Sequence, residues 1–321
     1  MTPKRICILI LALIAALALS GCGAKKDEAA ANGESRPVIV CSLFPQYDFA
    51  RSIAGEYANV SQLLPPGVDS HDYEPSVGDM VACDKADLFI YTDDELETWV
   101  KALKGGLTHV RTVRCAEGID LEALHEEWEE KYETAHEHES ESSHAHKYDA
   151  HIWLDPVLAI KMCENIRDAL TELDRAHAEA YRENCASLVK ELEDLDARFR
   201  AAFEAHPDAA LYFGGKFAYS HFIRRYGAKY YTAYDDCSDE GEPSLGQVVL
   251  IKKQMRENHA KYIFTDEMSS GLVAREIARD VGGQTLLFHT CHNLSADEQG
   301  QRFVDVMNEN LDHILTALNG E

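Results

Sequence analysis

Basic residues are scarce in this chain: 31 lysines and arginines stand against 56 aspartates and glutamates, and the formal net charge is −25. That balance argues against nucleic acid or anionic lipid as a partner and is compatible with cations. Nine cysteines are present, yet no two are spaced Cys-x-x-Cys, so a zinc ribbon or thioredoxin-like site is not supported. No Gly-x-Ser-x-Gly elbow occurs, and no His-Glu-x-x-His; His125-Glu126 begins the second pattern, but position 129 is Glu. The usual signatures of a hydrolase are therefore missing. Glycine and proline are absent from Arg175 to Ala205, a stretch that predicts one long helix.

The longest apolar run, Ile6 to Leu19, is short of the roughly 20 residues that span a bilayer, but after Lys4 and Arg5 it suits the core of a secretion signal. It closes on Leu19-Ser20-Gly21-Cys22, which resembles the bacterial lipobox. We therefore expect a signal peptide over 1–21, a lipid-modified Cys22, and a small, polar tether over 22–36. About 285 residues remain for the folded body, enough for one large or two medium cores. Seven cysteines lie in that body, an odd number where disulfides can form.

Through the body, short apolar runs alternate with amphipathic stretches. Val38–Ser42, Val60–Leu64, Leu88–Tyr91 and, more weakly, Arg111–Cys115 read as strands, with helices at Tyr47–Glu56, Val77–Ala86 and Glu95–Lys104 between them. After Pro156 a helix runs to about Leu173, and Leu188, Leu192, Leu195 and Phe199 give the 175–205 helix one apolar face. The alternation then restarts with strands at Ala210–Phe213, Tyr230–Tyr234, Tyr262–Thr265 and Thr285–Phe288. Helices are predicted at Phe217–Tyr226, Leu245–Asn258, Gly271–Val281 and Glu298–Leu318. The fold class is α/β: two βα lobes with parallel sheets, 37–174 and 206–321, joined by one long helix over 175–205.

Ligands of open parallel sheets sit beyond the carboxyl ends of the strands. His71 follows the second strand; Lys216 follows Ala210–Phe213; an acidic loop with Glu240 and Glu242 follows Tyr230–Tyr234; His289 and His292 follow the last strand. His151 lies on the apolar segment His151-Ile152-Trp153-Leu154-Asp155-Pro156. Before it, residues 117–150 read as an acidic, histidine-studded loop with too little to bury, whose His136, His138, His144 and His146 suit borderline divalent metals. The remaining histidines His177, His206, His221, His259 and His313 read as ordinary surface residues.

Together His71-Asp72-Tyr73-Glu74-Pro75, His151-Ile152-Trp153-Leu154-Asp155-Pro156, Arg225-Tyr226-Gly227 and Glu242-Pro243-Ser244 resemble motifs of the zinc and manganese solute-binding lipoproteins of bacterial ABC importers. The resemblance runs from Pro37 to about Leu318. It implies a metal site in the cleft between the lobes, a rigid connecting helix, and delivery of zinc, or alternatively manganese, to an ABC permease and its ATPase. It also implies a monomer, anchored by lipid at the extracytoplasmic face of the membrane, that is not an enzyme. His71 and His151 fall on its first two ligand positions. The third falls on Lys216, whose ammonium cannot ligate metal, leaving Glu240 as a substitute, with Glu242 as another candidate or a brace for the loop; Lys216 is expected to pair with that acidic loop. The fourth falls near His289 or Thr290, with His289 preferred and His292 second. The nitrogen-rich set favours zinc over manganese. A secreted zinc hydrolase and a surface adhesion lipoprotein stay open as other readings.

Deleting Thr134 to His146 is expected to leave tight zinc affinity nearly intact while removing weakly bound metal, because each binding event there must order a polar segment. Free imidazole titrates near pH 6.5, so the extra binding should fade towards about pH 5.5. Calorimetry on intact and deleted proteins measures this; identical stoichiometry at neutral pH would leave those histidines a passive linker.

Overall fold

The computed structural model describes residues 36–71, 73–132, 148–234 and 243–320. The signal, Cys22, the tether, His136, His138, His144, His146, Glu240 and Glu242 lie outside them. In the first lobe Val38–Cys41 (β1), Phe44–Ala54 (α1), Asn59–Gln62 (β2), Val77–Lys85 (α2), Leu88–Tyr91 (β3), Trp99–Gly106 (α3) and Arg111–Arg114 (β4) alternate as the apolar runs require. The strands pair in parallel in the order β2-β1-β3-β4. Ile39, Leu88, Phe89 and Ile90 are fully buried, because a parallel sheet is covered on both faces.

The same plan recurs in the second lobe. Ala210–Phe213 (β5), Lys229–Thr232 (β6), Tyr262–Thr265 (β7) and Gln284–Leu287 (β8) form a parallel sheet in the order β6-β5-β7-β8. Beside Gly214 there is no room for a side chain: a Cβ there would stand 2.6 Å from Cα of Ala274 on the helix Leu272–Val281, and a Cβ on Gly215 would meet Asp266. Those glycines let the end of β5 approach closely and fix where Lys216 begins.

Two helices lie between the sheets in sequence, Pro156–Leu173 (α5) and Ala178–Ala205 (α6), the latter preceded by a short 3-10 turn at Arg175–His177. At 28 residues α6 is about 42 Å long. It buries Tyr181, Cys185, Leu188, Leu192, Leu195, Phe199, Ala202 and Phe203, steps of three and four that keep one face inward. That face packs on α1 and α5 of the first half and, in the second, on the helices Ser220–Tyr226 (α7) and Phe303–Asn319 (α10). One buried cluster consequently runs through both lobes.

The lobes are also joined by charge. Asp155 is fully buried and accepts from Arg225 Nε at 2.8 Å on both oxygens while capping α5 through the Val157 amide at 2.9 Å. A buried carboxylate in this state is costly to strip of its partner, about 3–5 kcal/mol.

Two expectations need correction. Leu121–Tyr132 (α4) is a helix inside the stretch read as a histidine-rich loop. Asp120 Oδ1 accepts from Ala123 N at its start, and Trp128 and Tyr132 pack on Phe217 and Tyr230. The 3.6-residue spacing of Leu121, Leu124, Trp128 and Tyr132 is diluted by five glutamates. His221, read as a surface residue, is buried, with Nε2 2.9 Å from the Asp149 carbonyl. Helix ends also move by a few residues: α1 starts at Phe44, α7 at Ser220 and α10 at Phe303.

Glu97, fully buried just after β3, accepts from the Thr92 amide at 2.7 Å and the Asp93 amide at 3.1 Å. Burial pushes its carboxyl from 4.5 up to about 7, against the pull of those hydrogen bonds. A raised acid pKa means that ionisation opposes folding, so its contribution is most favourable below about 4.5 and is lost as pH rises through about 7. Between pH 5 and pH 8 the native protein is expected to lose about 2 kcal/mol through this group. Denaturant unfolding of Glu97→Gln at both pH values should show that loss largely removed.

Candidate metal centre

Three separate segments deliver imidazoles to one point. The first is the loop after β2. Its Pro-Pro-Gly turn places Gly67 at φ +72°, and Asp69 Oδ1 accepts from the His71 amide at 2.9 Å, an Asx turn that sets the loop's direction. At its far end Ser76 and Asp79 close a capping box on α2, and the Tyr73 hydroxyl donates to Asp79 at 2.9 Å. His71 is partly buried between these two anchors.

The second segment is the 3-10 turn Ile152–Leu154, which enters α5. His151 precedes it and is buried, and its Nδ1 lies 2.5 Å from Asp149 Oδ1. A carboxylate at that distance holds the proton on Nδ1 and leaves Nε2 as the basic nitrogen. Burial pushes the Asp149 carboxyl up, but the His151 charge and the hydrogen bonds from His151 and Ser220 outweigh it and hold it well below the usual carboxylate range. Ser220 Oγ and His221 both belong to α7, so the second lobe secures the carboxylate that orients His151.

The third segment follows β8. Cys291 takes φ +58°, an uncommon conformation for a residue with a side chain, and the chain turns there. His292 is buried, with Nδ1 2.6 Å from Thr290 Oγ1. Its Nε2 is buried with no hydrogen-bond partner among the described residues. Burial and the neighbouring His151 and His71 hold its pKa well below 6.5, so the ring is neutral with a lone pair to offer.

The ligand atoms of His71, His151 and His292 lie within 4.8 Å of one another. Ring centroids are 4.6 Å apart for His151 and His292, 5.4 Å for His71 and His292, and 5.6 Å for His71 and His151. Trp153 stands edge to face on both buried imidazoles at 5.3 Å and walls the group with apolar surface. Three buried or half-buried imidazoles with converging nitrogens could hold a divalent cation that accepts nitrogen donors, zinc foremost.

His289, preferred from sequence, is not in this group, whereas His292, held second, is. Its amide donates to Asn310 Oδ1 at 2.7 Å, its Nδ1 accepts from the Cys291 amide at 2.8 Å, and Glu298 lies 3.8 Å from its Nε2. His292, beyond the Cys291 turn, is the one that meets His71 and His151. Lys216 reaches the first lobe, with Nζ 3.5 Å from Asp69 Oδ2, while its amide donates to Asp266 at 3.1 Å. Asp149 and Ser220 were not among the sequence candidates, and only the short spacing of Asp149 to His151 offered a signal for either.

Comparison with known proteins bears on the same features. The high-affinity zinc uptake system protein ZnuA of Bacillus subtilis (strain 168) is 31% identical over 307 residues, covering 94% of each chain. The zinc-binding protein AdcA of Streptococcus pyogenes serotype M3 (strain ATCC BAA-595 / MGAS315) is 30% identical over 298 residues, 87% of this chain but 55% of its own. The chain thus spans about half the length of the streptococcal relatives that it matches. Among solved structures, the metal-dependent lipoprotein YcdH from Bacillus subtilis superposes with a TM-score of 0.72 at 28% identity, over 88% of this chain and 99% of its own. A family model matches residues 39–317, which takes in both sheets, the long helix and all three imidazoles, and by it the chain belongs to the ZnuA family, described as zinc-uptake complex component A, periplasmic.

Proposed function

We propose that this chain is an extracytoplasmic, lipid-anchored receptor that captures zinc with His71, His151 and His292 and passes it to an ABC permease. The observation that carries the reading is the convergence of three imidazoles whose ligand atoms lie within 4.8 Å, one of them with a buried, unpartnered Nε2. A buried polar nitrogen without a partner costs about 1–3 kcal/mol, and a cation at that point removes the cost. An all-nitrogen set suits zinc better than manganese, which prefers oxygen donors.

Transport, not catalysis, is the role that the site's surroundings favour. The family is one of solute-binding receptors, and Trp153 walls the three imidazoles with apolar surface. Membership of the family also supports work with a permease and an ATPase, and the lipobox-like Cys22 supports the anchor. Lys216 replaces a ligand with a fixed cation; paired to Asp69, it ties the two lobes beside the site.

Replacing His71, His151 or His292 singly by Ala is expected to weaken zinc binding at least tenfold, about 1.4 kcal/mol, in chelator competition. His289→Ala should change it far less. Unchanged affinity in both His151→Ala and His292→Ala would sink the assignment. Ester and peptide substrates should show no turnover; hydrolysis that disappears with His71→Ala would make the protein an enzyme instead.

A further inference from the structure

Behind His292 lies a relay that neither the family nor the three imidazoles account for. Glu267 follows β7 and is buried; it takes both polar groups of Thr290, the hydroxyl at 2.5 Å on Oε1 and the amide at 2.8 Å on Oε2. When Glu267 is ionised it takes the Thr290 hydroxyl proton, and Thr290 Oγ1 has only lone pairs left for its other neighbour, His292 Nδ1, at 2.6 Å. The imidazole is then the donor in that contact. Among the described residues Nε2 of the ring has no hydrogen-bond partner.

We propose that Thr290, held by Glu267, is the positioning residue that keeps the proton of His292 on Nδ1 and so presents its Nε2 lone pair to zinc. The inference rests on the reading of His292 as a ligand. A hydroxyl is unusual in this place because it can act either way. Had Thr290 been free to donate to Nδ1, the ring would carry its proton on Nε2 and turn an N–H towards the cation. The two-point grip of Glu267 removes that freedom, and the backbone is fixed with it: the Thr290 carbonyl accepts from Trp153 Nε1 at 2.8 Å. His151 reaches the same end by direct contact with Asp149, so two imidazoles of the site are set in tautomer by different devices.

The test uses the whole folded chain with zinc as the probe and has two readouts. In metal-free protein, 15N NMR of the histidine rings reports the His292 tautomer; chelator competition reports zinc affinity. Thr290→Val is expected to lose the single Nδ1–H tautomer and to bind zinc about tenfold or more weakly, within the range for residues that orient metal ligands. Thr290→Ser should restore both. Glu267→Gln, whose amide can donate to Thr290 Oγ1, is expected to shift the tautomer towards Nε2–H. Weaker zinc binding by Thr290→Val with the tautomer unchanged would reduce Thr290 to packing and overturn the proposal. Unchanged affinity in Thr290→Val, with His292→Ala strongly impaired, would overturn it while leaving the metal site intact; unchanged affinity in His292→Ala would remove the ligand reading and the proposal with it.

Discussion

The segment His289–Leu294 must run buried between two lobes, and every polar group of its backbone has to be satisfied there. Asn310 takes the amide and carbonyl of His289, Trp153 donates to the Thr290 carbonyl, and the Phe44 amide donates to the His292 carbonyl. Asn293 then reaches into the first lobe, where its Nδ2 donates to the carbonyls of Pro65 and Val68 and its Oδ1 accepts from Gln62. The Gly67 amide completes the seam on Leu294. Pro65 to Val68 is the base of the loop that carries His71, so the bonds that bury one histidine segment also fix the other. Metal geometry and lobe packing are one problem with one solution.

That coupling explains the style of the molecule. Domain pairs held by a small polar interface hinge readily, but here a 28-residue helix packs on both halves, and Asp155 with Arg225 places a buried ion pair across the join. A buried pair of this kind adds little net stability but is costly to break, which makes it an orienting device more than an adhesive.

Electrostatics around the site follow the same economy. An acidic chain of net charge −25 attracts divalent cations at long range, yet the three converging groups are imidazoles, and the nearby carboxylates Asp149, Asp69 and Glu267 are engaged by Ser220, Lys216 and Thr290. On the proposed reading, the nitrogen donors set the preference among metals and charge at a distance sets how often one arrives.

Much of this was legible in the sequence because it depends on short-range periodicity. Four-residue apolar runs between amphipathic stretches fixed the two βα halves, the Gly- and Pro-free 175–205 stretch fixed the spine, and strand ends pointed to His71 and the His289–His292 region. Local composition misled where it was mixed: the glutamates of α4 hid the stripe of Leu121, Trp128 and Tyr132, and His221 looked solvent-exposed on a short helix. Which of His289 and His292 joins His71 and His151 could not be read from spacing, because it turns on the positive φ of Cys291, on Asn310 holding the His289 backbone and on Glu298 beside its ring, from a distant helix and turn. Nor could the orienting contacts of Ser220 on Asp149 and Glu267 on Thr290 be seen, 71 and 23 residues apart in the chain. Sequence determined the elements and the pool of donor groups; only packing of the two lobes decided which three imidazoles meet.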